Sequence, residues 1–352
     1  MNIAFVISTK NWGGVKTWML EFGCGLRELG HTVHFFASDK RLIEQARLRG
    51  CEAHHVHFGF DYNPAAILRF RRIFKRYKID ATIMNIYKEL RSAGVAAKSL
   101  GIPVVHRVGL TGDIEPGPKT AFVHKRIVSR ILVPCRIMKE ELIESVPFLE
   151  DKDIRYIYNG REPKTDRTRS SGSPVRFVIS SKLAKSKGHE MLFKALSMAW
   201  NYTQIPFKVD VYGEGKEREN LEKLAYEYKI NDKIEFLGFD RGVADKLSTY
   251  DFGLLSSRTE GLPNVILEYM ASGLPVVSTD VCCIPELVQD GVNGYLCSKG
   301  DVDGMAECIK KCLLMDATEY AEMSAASLEM IKGDFNFTKR VQELASWLEE
   351  LR

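Results

Sequence analysis

The sequence predicts an α/β protein of two doubly wound, Rossmann-like domains. Short apolar runs alternate with amphipathic stretches, one polar segment divides those runs into two series, and a length of 352 residues exceeds one ordinary core and suits two. Strands alternating with helices imply parallel sheets covered on both faces. The first series reads NIAFVIS, TVHFFAS, AHHVHF, ATIMNI, PVVHRV, RILVP and IRYIYN. The second reads RFVISS, FKVDVYG, KIEFLGF, DFGLLSS, PVVST and GYLC. Between them Asn159 to Pro174, NGREPKTDRTRSSGSP, has the Ser, Gly, Arg and Pro content of a linker. The expected domains are therefore 1–164 and 165–335. A last helix at about 336–352 places Phe337, Val341, Leu344, Ala345 and Leu348 at helical spacing and suits packing on either domain. Ligands bind such sheets at the carboxyl ends of the strands, so two of them facing each other predict a cleft.

Composition narrows the class. With 45% hydrophobic and 27% charged residues the chain reads as an ordinary soluble globular protein. No apolar run reaches membrane-span length, and MNIAFVISTKNWGG lacks a basic n-region and a small-residue cleavage site, which predicts a cytoplasmic protein. Eight cysteines form no C-x-x-C pair and have no histidine at zinc spacing, so thiols in a reducing compartment and no metal site are expected. Charge is uneven: residues 1–170 hold 29 Lys and Arg against 18 Asp and Glu, and the remainder holds 21 against 28. A basic first half attracts anionic partners.

The densest chemistry lies in RTEGLPNVILE, Arg258 to Glu268. Glu260 and Gly261 fall at the end of the strand DFGLLSS, Pro263 suits the first turn of a helix, and Gly273 signals its end. Glu268 then lies about one turn inside, so the two carboxylates sit on the order of 10 Å apart along one groove. Between them the amides of Gly261, Leu262 and Asn264 point out of a helix N-terminus. Amides and helix dipole cradle phosphate, while flanking carboxylates accept hydrogen bonds from hydroxyls, a pattern that fits sugar, diphosphate and ribose in line. The plainer reading makes Glu260 a loop residue and Glu268 an acid favoured by the dipole. Further elements favour the ligand: Lys182 and Lys187 in the loop after RFVISS, and the glycines of YGEG, Gly213 among them, which permit close backbone approach. Gly13 and Gly14 stand between the first strand and first helix, as a tight turn or a substrate loop.

Glu260-x7-Glu268 followed by YMASGLPVVSTD, the upstream SSKLAKSKGHEMLFKAL, VYGEG, the N-terminal GG loop and YNG before the linker together resemble the retaining nucleotide-sugar glycosyltransferases of the GT-B fold, family 4. The resemblance is dense from about residue 175 to 300 and thinner before it. It implies that Glu268 binds ribose hydroxyls, Glu260 holds donor-sugar hydroxyls, the amides from Gly261 through Leu262 to Asn264 contact sugar and diphosphate, and Lys187 pairs with the diphosphate. Lys182 stands where the family usually has Arg, so a point charge replaces a bidentate clamp. His106, ending PVVH, matches the family histidine near the donor sugar; a satisfied core histidine is the other reading. Gly14 lets pyrophosphate and acceptor approach.

The same resemblance implies transfer with retention, the leaving diphosphate taking the acceptor's proton, without metal or cofactor. Expected partners are a nucleotide diphosphate sugar and a glycan or lipid-linked acceptor in cell-surface polysaccharide or lipopolysaccharide synthesis. Rival readings are an epimerase or phosphorylase on the same fold, and a non-enzymatic nucleotide-binding regulator; no nucleic-acid motif accompanies the basic half. Ala65 to Asp80, AAILRFRRIFKRYKID, interleaves Arg69, Arg71, Arg72, Lys75, Arg76 and Lys78 with apolar residues. That pattern suits an anionic membrane, placing the protein at the inner face of the cytoplasmic membrane, or a helix with its stripe in the core and its charges in water.

Overall fold

The computed structural model describes residues 1–10, 12–164 and 174–351. Most of the linker expected between Asn159 and Pro174, residues 165–173, lies outside them. The chain forms two units, Met1–Asn159 with Thr338–Arg352, and Gly160–Phe337.

The first unit contains seven parallel strands: β1 Asn2–Ile7, β2 Thr32–Ala37, β3 Glu52–His55, β4 Ala81–Met84, β5 Val104–Arg107, β6 Arg130–Val133 and β7 Ile154–Tyr156. They lie in the order β3-β2-β1-β4-β5-β6-β7. The order reverses between β1 and β4, which is where a doubly wound sheet opens its ligand-binding crevice. Continuous apolar strands such as IAFVI are buried on both faces, as a sheet covered by helices requires. Phe5 stacks on Phe35 at 5.2 Å, and Trp18 from the Gly14–Glu28 helix stacks on Phe22. The C-terminal Phe337–Glu349 helix completes this unit from Thr338 onward: Trp347 is fully buried, and the guanidiniums of Arg130 and Arg155 lie 5.6 and 5.8 Å from its ring centre.

The second unit contains six: β8 Val175–Ser180, β9 Phe207–Tyr212, β10 Ile234–Gly238, β11 Phe252–Leu255, β12 Val276–Thr279 and β13 Gly294–Cys297. Their order is β10-β9-β8-β11-β12-β13, again all parallel, and it reverses between β8 and β11. The loops after those two strands carry the lysines and the first glutamate singled out above. The entry and exit of the unit lie side by side: Arg161 N–H donates to the Phe335 carbonyl at 2.9 Å, and Phe337 N–H to the Arg161 carbonyl. Only glycine fits at 160, since a Cβ there would stand 2.6 Å from the Phe337 Cα. Among the described residues no helix is long and apolar enough to cross a membrane.

Candidate functional site

Within the second unit the order reversal brings the β8 and β11 loops together. The Lys185–Lys187 turn ends on Gly188 at φ +67°, and a Cβ at Gly188 would sit 2.0 Å from the Ser256 carbonyl, so glycine alone lets the two loops touch. Arg258 N–H donates to the Ser186 carbonyl, and Ser256 Oγ donates to that of Lys187. Glu260 is thereby brought onto Lys187: its Oε1 lies 2.5 Å from the ammonium and accepts the Ser257 hydroxyl at 2.6 Å. Both side chains are half-buried, so they exchange water for each other and keep a defined geometry.

Glu268 sits on the Asn264–Ala271 helix, which has Pro263 at its N-cap and Gly273, at φ +67°, just past its end. Tyr269, the next residue, is buried in full, and its hydroxyl accepts the Ser180 N–H at the end of β8 at 2.8 Å. Gly253 on β11 leaves room for that ring, whose nearest atom would lie 2.2 Å from a Cβ there. The helix is thus pinned beneath the loops with Glu268 half-buried beside them. Arg161 pairs with Glu268 at 2.9 Å. The amides of Gly261 and Leu262 meet no backbone carbonyl among the described residues, and the Leu262 side chain is buried. Gly213 ends β9 at φ +140°, and a Cβ on it would lie 1.9 Å from the Ser181 carbonyl and 3.7 Å from the Lys182 nitrogen, so the glycine packs flat against the β8 loop. Lys182 itself is exposed.

The structure therefore gathers Lys187, Glu260, Gly213, Gly261, Leu262, Asn264 and Glu268 around one set of strand ends, with Lys182 on the same loop. Two residues escaped the sequence reading. Arg161 stands directly after YNG, and nothing in that motif announces a partner 107 positions away. Ser257 looked like the tail of a strand.

In the first unit, Gly14 opens the helix after β1, and a Cβ there would meet nothing within 4 Å. The loop before it is braced by Lys16, a fully buried lysine paired with Asp39 at 2.5 Å and bonded to the Lys10 carbonyl. Glu89, also unanticipated, joins the ends of β1 and β4: its carboxylate accepts the amides of Ser8 and Asn85 at 2.6 and 2.7 Å. Burial pushes its carboxyl up, and those amides pull it back. His106 ends β5 and is buried among its neighbours. Its ring is 1% exposed, Nε2 meets the Asn85 carbonyl at 2.9 Å, and Nδ1 meets His124 at 3.0 Å. Burial and the neighbouring His124 push its pKa down to about 3, which keeps the ring neutral, and both nitrogens are already engaged.

Similarity to known proteins follows the same division. Residues 12–164 match a family model described as glycosyltransferase family 4, and residues 160–329 match one described as glycosyl transferases group 1. The N-acetyl-alpha-D-glucosaminyl L-malate synthase of Bacillus anthracis is 27% identical over 94% of this chain and 92% of its own. The lipopolysaccharide core biosynthesis glycosyltransferase LpsE of Rhizobium meliloti is 30% identical, over 53% of this chain and 54% of its own. Among solved structures, HepE of Anabaena in complex with UDP superposes with a TM-score of 0.82 at 18% identity, over 99% of this chain and 100% of that one.

Proposed function

Because the chain belongs to the GT-B glycosyltransferases of the family 4 type, we propose that it moves a hexose-type sugar from a nucleotide diphosphate sugar to a glycan or lipid-linked acceptor, with retention and without a metal, in cell-surface polysaccharide or lipopolysaccharide synthesis. One observation carries the reading: the Lys187–Glu260 pair at the β8/β11 reversal, with Glu268 on the helix that follows. The Gly160–Phe337 unit holds the donor and the other unit meets the acceptor. The UDP complex of a relative in fold and the surface-glycan setting of LpsE support donor and context.

Each group has a physical task. Glu268 accepts the ribose hydroxyls, held ready by Arg161. Lys187, Lys182 and the amides of Gly261, Leu262 and Asn264 neutralise the diphosphate, while Gly213 lets the chain approach it. Glu260 orients the sugar hydroxyls as positive charge develops at the anomeric carbon. The leaving diphosphate takes the acceptor's proton on the face it departs from, so the protein's work is positioning and charge stabilisation. Gly14 leaves backbone room for phosphate and acceptor, and His106, its ring held by His124 and the Asn85 carbonyl, stands near the donor sugar.

The acceptor's lipid is met, in this reading, by the Pro64–Arg76 helix. Ala66, Phe70 and Phe74 are its buried stripe, Arg71 is bonded to Ser99 and Arg69 to the His57 carbonyl. Leu68, Arg72, Lys75 and Arg76 are exposed, and Phe60 before them is 70% exposed. The first test is thermal stabilisation by UDP, GDP and ADP, followed by transfer from the matching nucleotide sugar and the anomeric configuration of the product by NMR. Retention is expected. Inversion, or no stabilisation by any of the three, overturns the assignment. Sedimentation with anionic vesicles at low salt tests the lipid surface, and replacing Arg72, Lys75 and Arg76 by Ser should release the protein.

A further inference from the structure

The edge of the first unit's sheet carries a second cluster, none of whose members has been given a role in transfer. His34 on β2 stands directly across from Glu52 on β3, and Phe36 across from His54. Alternation then puts all four side chains on one face. His34 Nδ1 lies 3.3 Å from Glu52 Oε2, His54 Nε2 lies 3.7 Å from the same oxygen, and the three atoms fall within 4.8 Å of one another. His34 Nδ1 and His54 Nε2 are buried and make no well-aligned hydrogen bond, the Glu52 carboxylate lying off-line or too far, and the His34 side chain is 4% exposed. A buried ring nitrogen aimed at a carboxylate without a bond costs stability unless something else binds it.

A metal ion resolves that cost. Bonds of roughly 2.0–2.2 Å to imidazole and carboxylate, at tetrahedral angles, place neighbouring ligand atoms about 3.3–3.5 Å apart, which the two measured separations bracket closely. Both rings are held in place: Phe36 stacks on His34 at 6.1 Å and on His54 at 5.2 Å, and Tyr77 lies against both at 4.7 and 4.8 Å. Two imidazoles and one carboxylate suit an ion of the zinc, cobalt or nickel type, and leave one position for water.

We propose that His34, Glu52 and His54 bind one divalent ion of this class at the β2/β3 edge, tying the outermost strand to its neighbour and to Tyr77. The sequence concealed the site because strand pairing brings His34 to Glu52 and His54, which alone form no metal motif. It shares no residue with the proposed donor site and is independent of whether transfer itself uses a metal.

The test uses metal-stripped full-length protein titrated with Zn(II) by calorimetry and with Co(II) by visible absorption, beside His54→Gln and Glu52→Gln, two positions exposed enough for the variants to fold, and His34→Gln as a third. The wild type should take up one ion with ligand-field bands free of a thiolate charge-transfer band, and melt at a higher temperature when loaded. Each of the first two variants should lose more than the ~10–100-fold that removal of an outer-shell partner costs, and lose the thermal shift. No uptake, uptake unchanged in both variants, or a spectrum dominated by thiolate overturns the site.

Discussion

Replacing Glu268 by Gln isolates the charge at the proposed ribose contact. The amide keeps the carboxylate's shape and can still accept from Arg161, so the helix and its Tyr269 anchor are left as they are. A hydrogen bond to a charged acceptor is worth on the order of 1.5–3 kcal/mol. The amide can keep a neutral bond of about 0.5–1.5 kcal/mol, so about 1–1.5 kcal/mol is lost, and at 1.4 kcal/mol per tenfold UDP affinity should fall roughly five- to tenfold. Stability should change much less. Glu268 and Arg161 are 30% and 17% exposed, so water screens their attraction and the pair contributes about 0–1 kcal/mol. For a chain of this size that is a melting shift below about 4 °C. Calorimetric titration with UDP and thermal denaturation of the same preparation measure both quantities. A dissociation constant within twofold of the wild type refutes the ribose assignment. A fall in melting temperature beyond about 8 °C would instead make Glu268 a structural partner of Arg161.

Three further outcomes follow from the same geometry. Lys187→Ala should impair both UDP binding and sugar transfer, while excess EDTA should leave transfer in place; loss on chelation with recovery on adding magnesium or manganese contradicts metal-free phosphate neutralisation. Gly213→Ala meets the Ser181 carbonyl at an inaccessible φ and should cost at least about 2 kcal/mol, lowering the melting temperature by ~4 °C or more, whereas Gly14→Ala should melt like the wild type and still transfer more slowly. Acid should weaken both units: burial holds His106 at about 3 and His189 at about 4, below the ordinary 6.5, so the unfolded chain binds protons that the folded one refuses. Stability is then full above pH 6.5 and declines toward pH 4 for His189 and pH 3 for His106, by ~1.4 kcal/mol for each unit of displacement. Urea melts at pH 7 and 4.5 should separate by several kcal/mol on that scale; equal midpoints refute it.

Each apolar run read from the sequence lies on a strand of the structure, from NIAFVIS on β1 to GYLC on β13, because central strands buried on both faces must be apolar along their length, and that signal is local. The Glu260-to-Glu268 segment was legible for the same reason: a strand end, a proline and a helix-ending glycine sit within a few residues of one another. The basic Pro64–Arg76 helix showed its buried stripe in its periodicity.

What the chain order alone could not decide was pairing. Strand order in a parallel sheet depends on how crossovers pack, and that order is what sets Lys187 against Glu260 and Tyr269 beneath Ser180. Arg161 reaches Glu268, and Glu89 joins Ser8 to Asn85, through contacts whose sequence separation leaves no pattern to read. His106 shows the opposite limit. A histidine ending a strand reads alike whatever its ring meets, and only side-chain packing sets this one against His124 and the Asn85 carbonyl. Local periodicity and turn chemistry are written along the chain, while partners across the sheet exist only once non-local burial has chosen which strands are neighbours.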